Sequence, residues 1–244
     1  LPYFGKQRSV SNIRNNGHAR ESAMQKFDTP APISAILNIP AGRIQLIAAH
    51  RADTTVEVRP ADPAKSRDAR AAEQTAVAYA DGVLRITTAD PGNPLFGPSG
   101  SLEVTVQMPA GSRIDGTSAS AELRSVGRLG DVAFEGAYRQ IKIDEAASVR
   151  LTAIDGDVEV GRLNGPAEIS TARGDIRIAE AVHGTVVLRT QSGDISVVAA
   201  TGVSAALDAG TGFGRISNGL KNDGTTALDI RATTSYGDIT ARSL

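Results

Sequence analysis

Six short segments in the second half of the chain share one signature, a glycine and a charged residue followed by Val or Ile. They are Gly130-Asp131-Val132, Gly156-Asp157-Val158, Gly174-Asp175-Ile176, Gly193-Asp194-Ile195, the variant Gly214-Arg215-Ile216, and Gly237-Asp238-Ile239. Successive glycines lie 26, 18, 19, 21 and 23 residues apart. With each glycine as position zero, position −7 reads Leu123, Val149, Ala167, Val186, Leu207 and Ile230, and position −3 is Thr171, Thr190, Thr211 and Thr234 in the last four copies. Such columns imply stacked equivalent units, because a unit of about 20 residues cannot bury its own apolar face.

Two short strands and a turn per unit describe one rung of a β-solenoid. Gly-Asp is equally a two-residue hairpin turn, so an antiparallel β meander is the alternative. The solenoid is preferred because whole units recur and their length variation falls between strands. About six rungs at roughly 4.8 Å each predict a column on the order of 29 Å long, whose open last edge must be capped or will invite another chain.

The 244 residues agree with an all-β reading. Only 4% are aromatic and 25 are glycine, so the core must be thin and built from Val, Ile, Leu and Ala. With 26 Lys+Arg against 27 Asp+Glu there is no global basic field for nucleic acid, and the 41% hydrophobic fraction is too high for a disordered polymer. The absence of Cys removes disulfides, thiolate nucleophiles and Cys-based metal centres. No stretch reaches the roughly 18 to 20 apolar residues of a membrane span. Without a span or a secretory signal, the expected location is cytoplasmic, with secretion or surface display left open.

Three regions are expected. Residues 1–23 carry Lys6, Arg8, Arg14 and Arg20 against Glu21, about +3, and read as a basic flexible extension upstream of Met24 that need not be native. Residues 24–112 form an N-terminal β region with runs Ile33–Ile39, Arg43–Ala48, Thr54–Arg59, Val83–Thr88 and Leu102–Met108. One short helix is expected at about 62–77, with Asp62 as N-cap and Pro63 in the first turn. The joints Ile39-Pro-Ala-Gly42 and Met108-Pro-Ala-Gly111 suggest an internal duplication, and Asp90–Gly100 reads as a loop. Residues 113–244 form the repeat solenoid.

The paired Pro-Ala-Gly joints, the helix-interrupted strands and the repeats Arg173-Gly-Asp-Ile-Arg-Ile178, Ser192-Gly-Asp-Ile-Ser-Val197 and Tyr236-Gly-Asp-Ile-Thr-Ala241 together resemble the putative-adhesin family of β-strand-repeat proteins. That family is a bacterial domain of unknown function, common in actinobacteria. The resemblance covers about residues 24–244 and implies a single-domain, right-handed β-helix. It supplies no catalytic motif to carry over, and the chain differs from secreted or tethered members in showing no signal or anchor.

The aspartates following the glycines are the most visible polar feature. In one reading their short carboxylates bond turn amides, and neighbours about 4.8 Å apart repel by only roughly 0.9 kcal/mol in water. In the other, Asp157, Asp175, Asp194 and Asp238 form a ladder for a cation such as Ca²⁺. Against it, the Ca²⁺ nonapeptide Gly-Gly-x-Gly-x-Asp is absent, and Arg215 occupies one corner. Glu159 and Arg177 share position +3 and are expected to form a cross-rung ion pair rather than an acid–base couple. Phe213 and Tyr236 share position −1 and should lie together near the terminal rungs. The threonine column reads as an inward hydroxyl stack. His18, His50 and His183 have no partner at metal-ligand spacing and should lie at the surface.

These residues contain no catalytic constellation and imply no cofactor. The expected function is a non-enzymatic β-solenoid presenting an extended face to a protein or polysaccharide partner. The alternative is a carbohydrate-active β-helix lyase or hydrolase, which should show a cleft lined by several carboxylates outside the corner ladder. Self-association through the solenoid ends is a third possibility.

Overall fold

The structure, a computed structural model, describes residues 24–89, 100–137 and 139–244. The basic segment 1–23 with His18, and the loop expected at 90–100 except Gly100, lie outside the described residues. The first strands are β1 (Gln25–Asp28), β2 (Ser34–Asn38), β3 (Ala41–Ala49) and β4 (Asp53–Pro60). Helix α1 (Ser66–Gln74) runs directly into β5 (Thr75–Ala80), and β6 (Val83–Thr88), β7 (Leu102–Pro109) and β8 (Arg113–Thr117) follow. Two long strands, β9 (Ser120–Ala137) and β10 (Ile141–Asp155), lead into the repeats. These comprise β11 (Val158–Leu163), β12 (Ala167–Arg173), β13 (Ile176–Ala181), β14 (Gly184–Ser192), β15 (Ile195–Ala199), β16 (Ala205–Phe213), β17 (Ile216–Gly219), β18 (Leu228–Tyr236) and β19 (Ile239–Ser243).

All rung-to-rung pairings are parallel, which decides for the solenoid and against the meander. A front stack runs β6, β2, β8, the second half of β9, the second half of β10, then β12, β14, β18 and β16. A back stack runs β7, β3, the first halves of β9 and β10, then β11, β13, β15, β19 and β17. Nine layers at roughly 4.8 Å make a column of about 40 Å, longer than the six-rung estimate because the N-terminal strands join the same stack.

The predicted columns form the core. Val158, Ile176 and Ile195 are neighbours in register, each 0–1% exposed. At position −7, Val149, Ala167, Val186, Ile230 and Leu207 follow one another across the front stack. The first copy is the exception. Leu123 pairs with Ile141 in the back stack and Val132 pairs with Val149 in the front, so Gly130 turns at the opposite corner and its unit is out of phase with the rest. The two Pro-Ala-Gly joints also turn at opposite corners, one leading from β2 into β3 and the other from β7 into β8. They are local solutions to the same turn and do not mark a duplicated unit.

The chain does not stack its last rungs in sequence order. After β14 and β15 it leaves one layer empty and lays down β16 and β17. It then returns to fill the gap with β18 and β19, which pair with both neighbours. β16 and β17 therefore form the end of the column. At the other end β5 lies antiparallel on β6, β4 antiparallel on β7, and β1 antiparallel on β4. Buried Ala71 of α1 and the tilted Phe27–Tyr79 contact, 5.5 Å between ring centroids, close the core there.

The helix is shorter than predicted. Asp62 does not cap it; its Oδ1 accepts from the Ala64 N–H at 3.0 Å, and its carbonyl accepts from the Lys65 N–H, making a separate turn. Lys65 occupies the N-cap without a side-chain bond, and β5 begins at Thr75, inside the span that the Ala-rich sequence predicts as helix.

Candidate functional site

The corner between front and back stacks repeats one hydrogen-bonded device. Asp157 Oδ1 accepts from the Asp175 N–H at 2.9 Å, Asp175 Oδ1 from the Asp194 N–H at 2.8 Å, and Asp194 Oδ1 from the Asp238 N–H at 2.7 Å. Asp238 Oδ1 then accepts from the Arg215 N–H at 2.9 Å, and the Arg215 guanidinium reaches Asp238 Oδ2 at 3.0 Å. These two contacts, the Arg215 amide first, hold the Asp238 carboxyl below its ordinary value. Each aspartate thus receives the corner amide of the next layer. Arg215 stands at the last layer, where no further amide follows, and its position in the stack explains the departure from the repeat.

Glycine is required at this corner. Gly193 has φ +151°, and a Cβ there would fall on the carbonyl of Gly174. The threonine column supports the same turns from inside. Thr190 Oγ1 donates to the Gly174 carbonyl, Thr234 to Gly193 and Thr211 to Gly237, at 2.9–3.1 Å.

The aspartates Asp157, Asp175, Asp194 and Asp238 therefore lie along one corner, with one oxygen of each held by the amide of the next layer. Asp131 lies elsewhere, bonded by Ser148 Oγ at 2.7 Å and paired with Arg113 at 3.3 Å. Among the described residues, no group of three or more His, Asp or Glu side chains is placed to hold a metal ion. Glu159 and Arg177 are register neighbours, but the ion pair of Glu159 is made on its other side, with Lys142 at 3.0 Å. His50 and His183 are exposed. Phe213 and Tyr236 stack at 5.1 Å with 5° between ring planes, and both are exposed.

An open groove of about 780 Å³ on the outside of the front stack left no signal in the sequence. It runs across seven layers from Val83 on β6 to Thr185 and Val187 on β14, with Ala133 near its middle. Its polar walls carry Asp115, Asp131, Glu168, Arg113, Arg150 and the hydroxyls of Ser34, Ser148 and Thr185, and its apolar floor includes Ile36 and Val187. Asp131 is bonded as described, and Glu168 accepts from Arg189 at 3.3 Å. The outward positions that form the groove vary in chemistry from layer to layer, so they leave no repeat signal.

The Toastrack DUF4097 family model matches residues 32–243. The chain belongs to the Toastrack family. No curated protein matches it. A crystal structure of a putative adhesin from Bacteroides fragilis has 14% identity and TM-score 0.56, covering 91% of this chain and 98% of that one. Two others are a putative cell adhesion protein from Clostridium sporogenes (11% identity, TM-score 0.38, coverage 92% and 100%) and a putative lipid binding protein from Parabacteroides distasonis (13% identity, TM-score 0.40, coverage 90% and 97%). The Bacteroides fragilis likeness establishes a shared fold. Among the described residues, no helix is long and apolar enough to cross a membrane.

Proposed function

We propose that this Toastrack chain is a non-catalytic binding module that holds an extended protein or polysaccharide segment along its front stack. The groove carries this reading. It is elongated along the column axis, crosses seven layers, and combines an apolar floor with carboxylates, guanidinium groups and hydroxyls. Those are the complementary elements an extended polar chain requires. Its walls stand on hydrogen-bonded strands, so the site is rigid and binding orders little protein. The adhesin description of the Bacteroides fragilis relative agrees with this role.

The test is a panel of soluble polysaccharides and extended peptides titrated calorimetrically against wild type and Ala133→Trp. The new indole projects outward into the groove and leaves the core untouched. Binding by wild type that Ala133→Trp weakens at least tenfold supports the reading. A ligand bound equally by both proteins overturns it.

A second reading rests on the same groove. Asp115, Asp131 and Glu168 lie outside the corner ladder, the arrangement expected of a carbohydrate-active enzyme. The binding reading is favoured because Asp131 and Glu168 are already committed to cationic or hydroxyl partners. Release of reducing ends or unsaturated sugars from a bound polysaccharide, lost in Asp115→Asn, would decide for the enzyme.

A further inference from the structure

The two ends of the column are not alike. At the N-terminal end, antiparallel strands and α1 cover the last layer. At the other end, among the described residues, β16 pairs as a strand only with β18 and β17 only with β19, so this layer presents an edge, occupied at its start where the Ala205 N–H donates to the Lys221 carbonyl. The inward row there is only partly covered: Ala205 is 1% exposed, and Leu207, Ala209 and Leu220 are partly buried against the core. Ile216 is 46% exposed, whereas Ile239, the same position one layer in, is 1% exposed.

The edge carries little that would repel another strand. β16 contains one charge, Asp208, and has neither Pro nor Lys; β17 is Ile-Ser-Asn-Gly. Natural edges are normally guarded by such residues or by a bulge. Arg215, the cation at this corner, is engaged by Asp238. An antiparallel pairing of β16 with itself, centred on Gly210, sets Asp208 opposite the second copy's Gly212. Like charges are then not opposed, and each inward residue stays inward.

We infer that a second copy of this chain caps the open end, β16 against β16 and β17 against β17, across a two-fold axis normal to the sheets. This joins both stacks and the core row of the two molecules. The arrangement is isologous and closes at two, because the far end of each column has its core already covered and offers no matching pair of parallel edge strands.

Sedimentation of the full chain at roughly 0.1 mM should give 50.6 kDa, twice the 25.3 kDa of one copy. Ile216→Glu places a charge in the partly covered row. Ala209→Pro blocks the edge, because the Leu228 N–H donates to the Ser204 carbonyl and the Ala205 N–H to the Lys221 carbonyl, and strand alternation from there directs the Ala209 amide away from β18. Each should weaken association at least tenfold while keeping the wild-type circular dichroism spectrum. Since the chain has no Cys, Ser217→Cys supplies a single thiol. A nitroxide there should show dipolar broadening between copies, and one on Asp28→Cys at the far end should not. A 25.3 kDa species at this concentration, growth beyond two copies, a dimer surviving Ile216→Glu, or broadening at residue 28 instead of 217 would each overturn the proposal.

Discussion

The displaced last rung makes three isoleucines of one column inequivalent, and truncating each to alanine tests the layer order. Ile176 and Ile239 are 0% and 1% exposed between two layers, and Ile216 is 46% exposed at the end. Removing three buried carbons costs about 2.4 kcal/mol at about 0.8 kcal/mol each, and the cavity left between layers raises the expected loss into the range of about 2–5 kcal/mol. At Ile216 roughly half of that transfer is realised and no closed cavity forms, so about 1.3 kcal/mol is expected in dilute solution. Urea unfolding followed by far-ultraviolet circular dichroism is the assay, since the chain has no Trp to report fluorescence. Ile239→Ala should match Ile176→Ala, and Ile216→Ala should be milder by about 1 kcal/mol or more. If Ile239→Ala were the mild substitution and Ile216→Ala the severe one, the rungs would stack in sequence order and the fold description would be wrong.

Gly193→Ala should destabilise strongly, as a methyl group cannot share space with the Gly174 carbonyl; thermal unfolding reads the loss, and a wild-type melting temperature would refute the corner geometry. Asp53 is held at about 2 by Arg51 and then Lys26, below its ordinary 3.8. A depressed folded value gives stability that is complete above about pH 4 and disappears as pH falls through about 2, so Arg51→Ala should flatten the melting-temperature profile in that interval. Lys142→Ala should cost about 0.2–1 kcal/mol through the Glu159 pair, whereas Arg177→Ala should cost close to nothing, measured by urea midpoints. Calcium titrated to millimolar levels should give no heat, because one oxygen of each ladder aspartate is already held by a corner amide; a binding isotherm abolished by Asp175→Asn would revive the cation reading.

The core was legible because it repeats: the −7 and +2 positions named the residues that face one another, and the corner glycines and threonines marked the turns. The phase of the first copy was not legible. Leu123 and Val132 are both apolar, and β9 continues through its corner, so reading Gly130 as equivalent to Gly156 cost nothing locally. The order of the last two rungs also lies outside local pattern, since it depends on which layer can offer a carboxylate to the next amide. Arg215 was visible as an exception, and only its place at the end gives that exception a reason. The groove was hidden because outward positions such as Asp115, Ala133 and Arg150 answer to solvent and ligand, which impose no period.

The returning final rung also bears on how the molecule is made. Residues 205–219 leave the ribosome before residues 228–243, yet the earlier segment has no platform until the later one has arrived. The column therefore cannot be completed until residues 228–243 have emerged. Loss of the last two strands, by a premature stop codon or a protease, would strand two layers rather than one.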